Sequence, residues 1–251
     1  PLWSRGLGDV YKRQGYCIIE NIKTLEKCSV EGIENVGGIA GSTIGNIINC
    51  ENHAMVMGAS CVGGIVGYYD GSYRSITSCA NYGFVTGSAA NVGGMVGYFI
   101  ASPGTIQNCA NYGDITGTSN VGNLIGNAQS CNLNNVLGTG NVTATSDTER
   151  AGLLVGHINN SSSTASGILA YNSSSKLTIN KTEQTDDAVK AIGLGSLNYS
   201  DGKNEADVIK AFTAEQLKSG EVAYLLNGSK SEGELAWYQK LGTDAYPVLV
   251  A

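Results

Sequence analysis

The sequence predicts an all-β fold: a parallel β-solenoid, built as a right-handed β-helix of about five three-strand coils with a small C-terminal α+β cap. Three observations predict it. A glycine phrase recurs at Val36-Gly37-Gly38-Ile39-Ala40-Gly41, Val62-Gly63-Gly64-Ile65-Val66-Gly67 and Val92-Gly93-Gly94-Met95-Val96-Gly97. Weaker copies open at Val121 and Ala151, so the steps are 26, 30, 29 and 30 residues. A fixed period of this size marks stacked supersecondary units. Apolar columns recur behind each copy, and near Asp186 the period gives way to helix signals.

Each period carries two further apolar columns. The first pairs an apolar residue with a marker three positions on: Ile47/Cys50, Ile76/Cys79, Ile106/Cys109, Leu133/Val136 and Ile168/Tyr171. Six residues after the marker comes Val56, Val85, Ile115, Val142 or Leu177. One period thus holds three short apolar segments separated by Gly, Asn and Ser, the pattern of short strands and turns. Glycine density and the absence of a 3.6 period exclude helices here. Such a unit buries its apolar side chains only when each strand pairs with its copy one period later, which makes a parallel solenoid. The right hand follows from the chirality of parallel crossovers. A spacing of three between Ile76 and Cys79 requires a bend if both point inward. The Gly-Gly pairs read as a backbone requirement of the coil, not as a phosphate cradle, because no helix follows them.

The pattern V-G-G-[IM]-[AV]-G followed by I-x-x-C-x-N-x-G-x-[VI]-T-G resembles the GLUG repeat of large bacterial surface and secreted proteins. The resemblance covers roughly residues 28 to 180. It is strongest in the second and third copies and fades in the fourth, where Asn123 replaces Gly and Val136 replaces Cys. It implies an adhesin-like bacterial protein, extracellular or on the cell surface. In that family the repeat accompanies some immunoglobulin A peptidases, whose activity lies in a separate domain that nothing in this sequence matches.

The domain reading has three parts. Residues 1–14 are unlike the rest and resemble translated sequencing-adapter read-through at the ends of metagenomic reading frames. They are set aside as a scar, with the natural N-terminus missing. Residues 15–185 form the solenoid. Residues 186–251 form the cap, where Thr213 and Gln216 have capping-box spacing and start a helix. A second helical stretch runs from Glu221 to Leu226, and extended pieces lie around Trp237 and Tyr246, which are expected to anchor the cap core. The cap is expected to cover the last rung, because open strand edges invite aggregation.

Composition excludes several function classes. With 42% apolar residues and a net charge of −6 the chain folds, and it carries no basic cluster for nucleic acid. No stretch approaches the ~18 apolar residues of a membrane span. Between Asn52 and Ser146 the only charged residues are Asp70, Arg74 and Asp114, too few for the clustered carboxylates of a polysaccharide lyase or hydrolase. Residues Asp147, Glu149 and Arg150 read as a solvated turn. Seven cysteines without a C-x-x-C pair, and two histidines, His53 and His157, give no zinc pattern. No metal and no cofactor is expected. Cys50, Cys79 and Cys109, with Cys28 leading, read as a column of buried thiols, while Cys17, Cys61 and Cys131 stay open to pairing. The column Asn52, Asn81, Asn111 reads as stacked amides bonding between rungs, with sugar contact as the alternative.

Insertions gather at the corner after each glycine phrase, and such a face of a solenoid is often the binding face. In the second and third coils this corner carries Tyr68, Tyr69, Tyr73, Tyr98 and Phe99, the candidate ligand-binding residues. Tyr68 and Tyr98 lie one period apart and should stack on neighbouring rungs. The rings either shield the corner from water or offer a platform to sugar rings or a partner protein. The expected function is a non-catalytic repeat module, acting as adhesive surface, stalk or spacer. Host glycans or surface glycoproteins are the expected partners. The alternative is a β-helix polysaccharide lyase or hydrolase.

Overall fold

The computed structural model describes residues 17–100, 103–146, 149–160 and 162–249, so the adapter-like segment 1–14 and Asp147 lie outside it. The third turn shows the unit. Ser75–Thr77 and Ala80–Asn81 form one side, Val85–Gly87 the second, Ala90–Gly93 the third and Val96–Phe99 the fourth. Each strand pairs in parallel with its copies one turn away, giving four stacked sheets and about five turns. The parallel solenoid therefore stands, but with four strands per turn instead of three, because the Gly-Gly phrase is itself a corner that splits one segment in two.

Register explains why the columns work. In the first sheet Ile47, Ile76, Ile106 and Leu133 are partners, and Cys109 pairs with Val136. Ile76 and Cys79 are both fully buried. Between such pairs stand Asn49, Ser78, Asn108 and Asn135 with φ of 50–53°, and this left-handed residue makes the expected bend. The fifth copy corrects the sequence reading. Leu133 pairs with Ala165 and Val136 with Leu169, not with Ile168 and Tyr171. An extra residue enters at Gly167, φ +68°, and slips the register. Cys28 is exposed and outside the thiol column. Lys23 bridges to Glu51, so the preceding residue, Ile22, leads it.

The interior is pinched into two compartments. Ile76, Cys79, Met95, Val96 and Phe99 belong to one, between the first and fourth sheets. Val85 and Val92 belong to the other, between the second and third. At the waist the Gly-Gly corner meets the Asn ladder from across the section. Asn52 Nδ2 donates to Asn81 Oδ1 at 2.7 Å and Asn81 Nδ2 to Asn111 Oδ1 at 2.6 Å, with all three residues fully buried. A Cβ on Gly64 would lie 2.3 Å from Asn81 Cγ, and one on Gly94 2.3 Å from Asn111 Cγ. The second glycine is thus required by close approach; neither Gly64 nor Gly94 has positive φ.

The fourth turn exchanges these two residues. Asn111 pairs with Gly138, so the ladder position is empty of an amide. Asn123, standing where the second glycine was, reaches into the same space and donates Nδ2 to Gly140 O at 2.8 Å. A Cβ on Gly138 would lie 2.6 Å from Asn123 Oδ1. One amide fills the waist in either arrangement, supplied from opposite walls.

The C-terminal region differs from the expected cap in two ways. Rung pairing continues past residue 185, through Ile192–Leu194, Asn198–Tyr199 and Ile209–Phe212. The remaining segment packs against the flank of the first sheet, not over the last rung. Phe212, Leu217, Val222, Leu226 and Trp237 bury the outward side chains of Ala110, Leu137 and Ala170. Thr213 and Gln216 form the capping box of helix Ala214–Lys218, and helix Glu221–Leu226 follows Gly220, which is left-handed. Trp237–Tyr238 pairs antiparallel with Val248–Leu249, and Asn227 clamps the backbone of Trp237. Tyr246 packs against Tyr112, whose hydroxyl donates to Pro247 O at 2.5 Å.

Candidate functional site

The aromatic corner divides between inside and outside. Tyr69 and Phe99 are fully buried with ring centroids 5.1 Å apart, in a column continued by Ala128 and Ile158. They fill the larger compartment and cannot touch a ligand, which corrects their place among the candidates. Burial pushes the Tyr69 hydroxyl well above its ordinary range. Tyr73 is 81% exposed, on a loop of positive φ, with no ring neighbour among the described residues. On the outer face Tyr68 and Tyr98 come together, as register partners with centroids 5.7 Å apart and rings near perpendicular. Burial first, and Asp70 second, raise the Tyr68 hydroxyl.

These two rings belong to a longer outward column on the fourth sheet: Ser42, Tyr68, Tyr98, Asn127 and His157. A second lane runs beside it at the start of each glycine phrase: Asn35, Cys61, Asn91, Asn120 and then Arg150. The first four of these are left-handed, φ 52–65°, a conformation Asn adopts readily because its short amide bonds locally. The lanes are tied together. Asn91 Oδ1 accepts from Asn120 Nδ2 at 2.7 Å and from Asn127 Nδ2 at 3.1 Å, while Asn91 Nδ2 donates to Cys61 Sγ at 3.6 Å. Asn159 Nδ2 donates to Asn127 Oδ1 at 2.8 Å. Burial and then Arg150 lower the His157 pKa, so its imidazole is neutral near pH 7.

Sequence reasoning missed the polar part of this strip. Its signal was present, since E-N-V-G, A-N-V-G and S-N-V-G place Asn35, Asn91 and Asn120 at one phase. A second missed feature is a stack of rings beside the Asn ladder: His53 on Tyr82 at 4.4 Å, Tyr82 on Tyr112 at 4.7 Å, then Tyr246 at 6.0 Å. These rings cover one another's faces and join the C-terminal segment to the solenoid. The Asn52, Asn81 and Asn111 amides are buried, so they act between rungs and do not meet a ligand. Charge gathers instead in the first turns, where Glu51 bonds Lys23 at 2.6 Å and His53 at 3.0 Å. Burial favours the protonated form of Glu51, but these two partners outweigh it and its pKa is lowered.

No family model matches the chain, and no curated protein does. Among solved structures it is similar to the crystal structure of a "putative immunoglobulin A1 protease from Bacteroides ovatus". The TM-score is 0.61 at 20% identity, over 93% of this chain and 75% of that one. The likeness is one of fold. Among the described residues, no group of three or more His, Cys, Asp or Glu could hold a metal ion, and no helix is long and apolar enough to cross a membrane.

Proposed function

We propose that this chain is a non-catalytic repeat module of a bacterial surface or secreted protein, and that it displays a lateral adhesive surface. The observation that carries the reading is the two-lane strip. Its side chains are amides, phenols, a thiol and a neutral imidazole, held by one another from rung to rung, a composition suited to contact and not to bond cleavage. Charged residues of the middle turns are dispersed to other duties. Asp114 accepts from Asn141 N at 2.8 Å at the corner between the first and second sheets, away from Asp70 and Arg74. The GLUG-like phrases and the solenoid shared with a protein named for an immunoglobulin A1 protease support an extracellular setting. Peptidase activity, where such repeats accompany it, belongs to a separate domain. Incubating the purified chain with immunoglobulin A and with plant and host polysaccharides tests the reading. We expect retention of one or more host glycans or glycoproteins on an array and no new chain ends; turnover of any of these substrates overturns it.

A further inference from the structure

We infer that the strip formed by Tyr68, Tyr98, Asn91, Asn120, Asn127 and His157 is a binding site for an extended, uncharged polysaccharide lying along the solenoid axis. This rests on the adhesive reading above and specifies its ligand. Four observations carry it. Tyr68 and Tyr98 are half-buried, outward and adjacent, and aromatic surface next to a few fixed polar groups is the usual make-up of a small-molecule site. Two buried polar atoms further along the same lanes have no partner among the described residues: Asn120 Oδ1, in a residue only 7% exposed, and Nδ1 of His157. Buried polar atoms of this kind are ordinarily satisfied, and sugar hydroxyls, which donate as well as accept, match both.

Charge selects the class of chain. The only formal charge on the lanes is Arg150, at one end, and Asp70 acts on Tyr68 at the other. Nothing between them neutralises a uronate, a sialate or a sulfate, so an anionic polymer would give up its hydration without a partner. Geometry selects its length. Rungs repeat at ~4.8 Å, close to one pyranose residue in an extended chain, and Ser42 to His157 spans four rung intervals, or about 19 Å. The strip therefore takes several consecutive sugars and gains little from one.

Native affinity electrophoresis of the whole chain tests this, in gels containing mannan, xyloglucan or mixed-linkage β-glucan, and in gels containing alginate or heparin. The informative substitutions are Tyr68→Ser and Tyr98→Asn, because Ser42 and Asn127 already occupy those places in other turns and the fold accepts them. We expect retardation by at least one neutral polymer, weakened tenfold or more by the pair of substitutions, and unaffected by Phe84→Ala, an exposed ring in the turn just before Val85–Gly87 of the second sheet. Hexasaccharides should compete far better than monosaccharides. Retardation by the anionic gels alone, or by none of the neutral ones, overturns the assignment. So does neutral-polymer binding that survives both substitutions, an outcome that leaves the adhesive reading intact. Release of reducing ends from the gel polymer would instead overturn the non-catalytic reading itself.

Discussion

Exchanging the waist residues of the fourth turn tests the packing argument directly. Gly138→Asn alone places a Cβ 2.6 Å from Asn123 Oδ1 and 3.1 Å from Leu154 Cδ2, two groups that cannot both retreat within a filled waist. Overpacking of this kind costs about 1–3 kcal/mol. Asn123→Gly alone removes the bond to Gly140 O and leaves that carbonyl buried, a loss of about 1–3 kcal/mol. Together the changes recreate the arrangement of the second and third turns, with glycine at the corner and an amide in line with Asn111. The double variant should lie within about 1 kcal/mol of wild type, so the coupling is at least about 1 kcal/mol and, for mid-range single effects, about 3 kcal/mol, the upper end of the range for residues in contact. Thermal unfolding reads this at about 2–4 °C per kcal/mol for a chain of this size. Single effects that add in the double variant to within about 0.5 kcal/mol would refute the idea that one amide volume is shared between the two walls.

Other expectations follow from the same interior. Gly94→Val meets Asn123 O at 2.1 Å, a backbone atom, and should destabilise by about 1–3 kcal/mol in the same unfolding assay. Cys50, Cys79, Cys109 and Cys131 are buried, Cys17 and Cys28 exposed and Cys61 between the two, so mass spectrometry after brief alkylation should find label on Cys17 and Cys28, less on Cys61, and none on the four buried thiols until denaturant is added. Cys79→Val should be tolerated within about 1.5 kcal/mol, as a near-isosteric swap already present at Val136. Burial raises the Cys131 thiol from 9.0 to about 12 and the Tyr82 hydroxyl from 10.0 to about 12. Groups whose folded pKa is raised stabilise fully below the unfolded value, so the contribution of these two should be level below pH 9 and fall between pH 9 and 12, less steeply in Cys131→Val. Trp237→Ala should cost about 3–5 kcal/mol of local stability and expose residues 213–249 to limited proteolysis while the solenoid stays protected; simultaneous cleavage of both would show that the flank segment is not separable.

Much of the architecture was legible because a solenoid writes the same physics once per turn. Ile76, Cys79 and Val85 recur at one phase, and phase alone places them inside. Legibility failed where a turn departs from its neighbours or where the backbone is not simply alternating. The fifth rung was misaligned because Gly167 adds a residue that no local composition marks. Tyr69 and Phe99 were read as surface because they follow Tyr68 and Tyr98 at the loop, yet Ala128 and Ile158 at the same phase mark a core column. The fourth strand was hidden inside the glycine phrase. The lateral seat of the C-terminal segment depends on Ala110, Leu137 and Ala170 facing outward, and three small or apolar residues on a sheet's outer face look no different in sequence from its inner ones.

That lateral seat has a mechanical consequence. Pro247 is fastened to Tyr112, some three rungs before the end of the stack, so tension on the C-terminus enters the molecule partway along its flank. Such a pull peels contacts in sequence: the Tyr112 clip and the strand Val248–Leu249 first, the Trp237 anchor next, the two short helices last. Unzipping one contact at a time needs far less force than shearing a whole rung, where every strand edge must part at once. In a pulling experiment the segment should give way as small early steps while the stacked turns remain closed, making it an extensible slack that yields before the rigid rod does.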